Sequence, residues 1–239
     1  ARKRRKERSA EYRAGLQPTR FLPIGYVNAS AAIQLNEWLK LPADERVDRV
    51  AQHIKRHYYP QLSEEAIREI LSRGDGRFWT AFGKPGPDRE FLAGWLLYGM
   101  IDWETGTWTV PRNAEEADRL EGTSMVDETL SWLVAADRLA KENGVQLAVA
   151  LIPVGTVDPA YVDFWRSWPR YFSGSLAADA RHRRLAVKLR QTNVPFFDLR
   201  DDLGGVPGTY RLTDGHWTER GTEIVAARVA RELAKMRRN

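Results

Sequence analysis

A chain of 239 residues, 43% hydrophobic and 29% charged, has the composition of a folded protein and the length of one α/β domain. It contains no cysteine, which excludes a disulfide framework, a thiolate nucleophile and a cysteine-ligated zinc. The net charge of +5 sits in residues 1–8, where Arg2, Lys3, Arg4, Arg5, Lys6 and Arg8 oppose Glu7; the neutral remainder argues against a sequence-specific nucleic-acid-binding face.

Residues 1–14 therefore read as a basic tail, solvated or touching a membrane surface, an acidic partner or, without sequence specificity, nucleic acid. With no long Ser/Gly linker further on, residues 15–239 read as a single domain. Phe21–Val27 is a strand pattern with Pro23 near its start. Asn28-Ala29-Ser30 follows as a turn, and Ala31–Leu39 as a helix. Val47, Val50 and Ile54 recur at helical spacing across residues 44–59. His53 and His57 lie one turn apart on that helix, but Ile54, Lys55 and Arg56 between them bring no acidic third ligand, so no metal site is expected. Ser63 caps a further helix that has Glu64 and Glu65 in its first turn and runs to Leu71.

Gly74-Asp75-Gly76 and Gly83–Pro87 frame a loop-rich region. Phe91–Tyr98 after it is short and apolar, a buried strand or a buried helix. No apolar run reaches the eighteen or so residues that cross a bilayer. Ser124–Asn143 predicts a helix capped by Ser124, lined on one side by Val126, Leu130, Leu133, Val134 and Leu139, and ended by Gly144. Val145–Ile152 predicts a central parallel strand stopped by Pro153. Residues 159–175 are aromatic-rich and read as irregular. Their Tyr161, Phe164, Trp165, Trp168, Tyr171 and Phe172 suit a lid, a partner surface or core. A helix over Leu176–Gln191, a strand over Val194–Leu199 and a last helix from Glu219 to Met236 close the chain. Strands alternating with helices imply right-handed crossovers and a mostly parallel sheet covered on both faces, a three-layer α/β/α fold.

Between that last strand and helix lies Thr213-Asp214-Gly215-His216-Trp217-Thr218. One reading takes Asp214-Gly215 as a turn, Thr218 as the helix cap and Trp217 as packing at its entry. The other takes Asp214 as the group that orients His216, which acts as general base toward a nucleophile elsewhere. No phosphate-cradling glycine loop is present, so nucleotide binding has no support.

This ending resembles the C-terminal half of the SGNH (GDSL-like) hydrolases, over roughly residues 124–235, and also the alginate-acetyltransferase-like branch of that family. Gln146–Pro153 is similar to the family's fourth strand and Val194–Leu199 to its fifth. The resemblance implies a flavodoxin-like three-layer fold and a Ser-His-Asp site of Ser30, His216 and Asp214. It implies an acyl-ester hydrolase or acyltransferase working without a cofactor, on a glycan or lipid ester, in an extracytoplasmic or membrane-associated setting. The chain departs from the pattern in two places. Asn28-Ala29 stand where the family has Gly-Asp before its serine, with Gly74-Asp75-Gly76 a second-ranked alternative. Ile101 stands where the family's Gly-x-Asn-Asp block has its oxyanion-binding Asn, in Gly99-Met100-Ile101-Asp102. These departures support a second expectation, a catalytically degenerate SGNH-like domain serving as a binding or structural subunit.

Overall fold

The computed structural model describes residues 38, 40–83, 99–107, 109–212 and 215–236. The expected elements at 21–27, 31–39 and 91–98 fall wholly or almost wholly outside these residues, as does the tail.

Among the described residues α1 (Ala43–His57) and α2 (Glu64–Ser72) come first, packed together through Val50, Ala51, Ile54, Ile67, Ile70 and Leu71. Ser63 caps α2 as expected, its hydroxyl accepting from the Ala66 amide at 3.1 Å. Next comes α3 (Gly76–Gly83), started by Asp75, whose Oδ1 accepts from the amides of Arg77 and Phe78. Gly74 has the Phe78 ring against it, at 2.6 Å from where a Cβ would stand. Gly74-Asp75-Gly76 is thus a helix start, its glycine and carboxylate accounted for by packing and capping.

Residues 99–105 are helical, and Met100 and Ile101 are fully buried in the same core. Short α4 (Ala114–Leu120) is capped by the Asn113 side chain. Long α5 (Ser124–Glu142) begins one residue earlier than its expected cap: Thr123 holds the N-cap position, and Ser124 is the first helical residue. The expected apolar side of α5 is only partly realised. Val126 is buried and Leu130 and Leu133 pack inward, whereas Val134 and Leu139 are exposed. Gly144 ends the helix at φ 66°, the left-handed turn that glycine adopts without strain.

The sheet among the described residues is a parallel pair, β1 (Val149–Leu151) and β2 (Phe196–Asp198), in register Val149↔Phe196 and Leu151↔Asp198. The α/β class and the parallel pairing of the two expected strands therefore hold. Both strands are shorter than expected, because pairing spans three residues and Val145 and Ile152 lie exposed beyond it.

A 3-10 turn (Gly155–Val157) leads to α6 (Pro159–Trp165), and α7 (Pro169–Leu189) follows. Residues 159–175 are thus mostly helical rather than irregular. Phe164, Trp165 and Trp168 are buried against α1, α2 and α3, and the Trp168 indole donates to the Ile70 carbonyl at 2.9 Å. Of the three roles open to this cluster, these side chains take the core one.

From α7 the chain returns to β2, short α8 (Arg200–Leu203) and finally α9 (Glu219–Met236). Leu130, Leu133, Ala186 and Leu189 seat α5 and α7 around Leu151 and Val194. A buried His182 on α7 meets Asp198 at the end of β2, Nε2 to Oδ1 at 2.9 Å, and the same oxygen accepts from the Arg200 amide. This pair pins the helix to the strand.

His53 sits on the inner side of α1 with the Trp38 ring 5.0 Å and the His57 ring 4.6 Å away. Among the described residues its Nε2 has no hydrogen-bond partner. Burial first, then the charges of His57 and Arg56, lower its pKa to about 4. Unfolded histidine titrates near 6.5, so below that the unfolded chain takes up a proton that folded His53 resists. Its contribution to stability is complete above about 6.5 and is lost as pH falls toward 4. Melting temperatures at pH 7.5 and pH 5 should therefore drop less for His53→Leu than for the wild type. An equal drop would show that His53 is solvated.

Candidate active site

His216 lies on the second arm of a narrow antiparallel hairpin whose described arms are residues 208–212 and 215–218. Its ladder is short: the Thr218 amide donates to the Thr209 carbonyl at 2.9 Å, Tyr210 bridges Trp217, and the Arg211 amide donates to the His216 carbonyl at 2.7 Å. Gly215 supplies the turn with φ 67°, as an Asp-Gly turn requires. Thr218 then caps α9, its hydroxyl accepting from the Gly221 amide and donating to the Gly208 carbonyl. The parts of the turn-and-cap reading that fall on Gly215, Trp217 and Thr218 are thus realised, while Asp214 lies outside the described residues.

The hairpin is bolted to the segment that leaves the carboxyl end of β1. Asp158 is completely buried. Its Oδ1 accepts from the amides of Ala160 at 2.8 Å and Gly208 at 3.1 Å. Its Oδ2 accepts from the amides of Thr209 at 2.8 Å and Tyr210 at 2.9 Å, with the Thr209 hydroxyl at 3.4 Å. A buried carboxylate is tolerated when so many donors replace its water. Two residues past β1, the Pro153 carbonyl accepts from the Tyr210 hydroxyl, and the Trp165 indole reaches the Leu212 carbonyl at 2.7 Å. Burial pushes the Tyr210 hydroxyl pKa up, while a hydrogen bond with the Trp217 side chain acts the other way. Val157, Leu199, Leu203 and Val225 close an apolar floor beneath Tyr210 and Trp217.

On this rigid base the His216 side chain is exposed. Ser30 and Asp214 lie outside the described residues, so His216 is the member of the expected site that the described structure locates. At Gly99–Asp102 the chain is helical, and Ile101 is fully buried in the core, where its side chain serves packing. The His53 and His57 rings meet at a tilt of 38°, and the described residues hold no group of three or more side chains suited to a metal ion. Among those residues no helix is long and apolar enough to cross a membrane. Asp158 escaped the sequence reading, since its partners lie some fifty residues away. The Asp158-Pro159 pair, an N-cap followed by proline at the first helical position, was the available signal.

A family model described as the SGNH hydrolase-like domain of the acetyltransferase AlgX matches residues 112–238, from the start of α4 through α9. Neither the curated proteins nor the solved structures contain a significant match to the chain.

Proposed function

The chain belongs to the family of the SGNH hydrolase-like domain of acetyltransferase AlgX, and from that premise we propose that it moves an acyl group, acetyl foremost, between oxygen atoms, with His216 as general base. The observation that carries this reading is an exposed His216 on a hairpin locked to the carboxyl end of a parallel strand by buried Asp158 and Tyr210. That end of a parallel sheet is where α/β enzymes gather their reacting groups.

In the proposed cycle the Ser30 hydroxyl attacks the ester carbonyl while His216 takes its proton. Asp214, two residues before His216 in the sequence, fixes the imidazole tautomer and balances its transient charge. The tetrahedral intermediate collapses as His216 returns the proton to the departing alcohol, leaving acyl-Ser30. An acceptor hydroxyl, of a glycan in transfer or of water in hydrolysis, then gives its proton to His216 and bonds to the acyl carbon, and the Ser30–acyl bond breaks as His216 returns that proton to the Ser30 oxygen. No cofactor enters these steps.

Turnover of p-nitrophenyl acetate, with and without a hydroxyl-rich oligosaccharide, tests the proposal. Release of p-nitrophenolate and acetylated oligosaccharide by mass spectrometry are the expected results. Folded protein that binds the oligosaccharide without turnover would instead support a degenerate, binding domain.

A further inference from the structure

We propose that Asp158 is a positioning residue for this site, holding the hairpin in the register that presents His216. The inference rests on the acyl-transfer reading above.

Gly208, Thr209 and Tyr210 are consecutive, and all three amides point at one carboxylate with no exposure to water. Three successive amides converging on one group fix the path of the backbone, because each restricts the peptide plane that carries it. That path is the first arm of the hairpin. From Thr209 and Tyr210 the ladder crosses to Thr218 and Trp217, and from Arg211 it reaches the His216 carbonyl at 2.7 Å. The carboxylate therefore determines where the backbone of residues 216–218 lies without approaching the reacting atoms. Its own place is fixed from the other side, because it caps α6 through the Ala160 amide and α6 is anchored in the core by Phe164 and Trp165. A line of rigid connections thus runs from the aromatic core through Asp158 to the hairpin.

The chemistry makes the role specific to a carboxylate. Four backbone donors need acceptors on both oxygens. An amide in the same place turns one oxygen into an NH2 group, which faces a backbone N–H donor and repels it. The arm must then twist away from residue 158 and carry the hairpin with it. Displacements on the order of 1 Å suffice to cost about 10²-fold in rate.

The experiment compares Asp158→Asn with Asp198→Asn, which disturbs a buried carboxylate bonded to His182 and outside the hairpin's anchoring. Steady-state hydrolysis of p-nitrophenyl acetate is measured below the melting temperature of both variants. Alongside it, NMR follows amide exchange at Gly208, Thr209 and Tyr210 and the His216 ring signals. The expected result for Asp158→Asn is a kcat lowered about 10–10²-fold with KM within about twofold, faster exchange at the three amides and shifted His216 signals. Asp198→Asn is expected to lose stability while keeping wild-type kcat and exchange at those amides. Unchanged exchange and unchanged His216 signals in Asp158→Asn overturn the proposal, as does an equal fall of kcat in both variants. Should the wild type show no turnover, the acyl-transfer reading falls, and the NMR arm still decides whether Asp158 sets the hairpin.

Discussion

Replacing His216 with alanine is expected to lower acyl-ester turnover by about 10³–10⁴-fold while leaving thermal stability within about 0.5 kcal/mol of the wild type. The two halves of that expectation have separate physical grounds. The His216 carbonyl accepts from the Arg211 amide within the hairpin, and alanine supplies the same carbonyl. The imidazole itself is exposed, so its removal opens no cavity. The rate effect follows from taking away the group that accepts the nucleophile's proton, since an unassisted hydroxyl is a weak nucleophile at neutral pH. The comparison is kcat/KM for p-nitrophenyl acetate set beside the melting temperature. Turnover within threefold of wild type would mean that His216 is not the base.

Gly221→Ala is expected to be the most damaging small substitution near the site. In an exposed helix this change stabilises by roughly 0.5–1 kcal/mol, because alanine loses less freedom on folding. Here a methyl group would land on the Thr209 carbonyl oxygen, with the carbonyl carbon and Trp217 Cβ both at 3.1 Å. The carbonyl has nowhere to go. It accepts from the Thr218 amide, while the amide of the same residue donates to Asp158. Either α9 lifts off the hairpin or the hairpin leaves its anchor, so the net cost is about 2–4 kcal/mol, at the upper end of overpacking. For a protein of this size that is a fall in melting temperature of roughly 5–15 °C. A variant as stable as the wild type would show that the α9–hairpin contact is looser than described.

Local signals carried most of the helices. Ser63 with two glutamates after it marked α2, and apolar spacing marked α1 and α9 to within a residue or two. The aromatic stretch is the instructive exception. The stretch reads as irregular although positions 161, 164, 165, 168 and 171 have helical spacing, and it contains Pro159 and Pro169. Each proline instead stands in the first turn of a helix, where its missing N–H costs nothing. The strands were legible in place but not in length, which their mutual pairing sets and neither sequence contains. The family was legible from the Asp-Gly-His-Trp turn in its strand-and-helix setting, and the match over residues 112–238 agrees with it. Asp158 was not, because a buried carboxylate earns its role from amides some fifty residues away.

The central claim is that His216 activates a serine for acyl transfer. Labelling with a fluorophosphonate, followed by mass spectrometry of the modified peptide, tests it most directly. Stoichiometric modification of Ser30 in the wild type and its loss in His216→Ala are the expected results. Folded wild-type protein that takes up no label, or label that persists undiminished in His216→Ala, would contradict it.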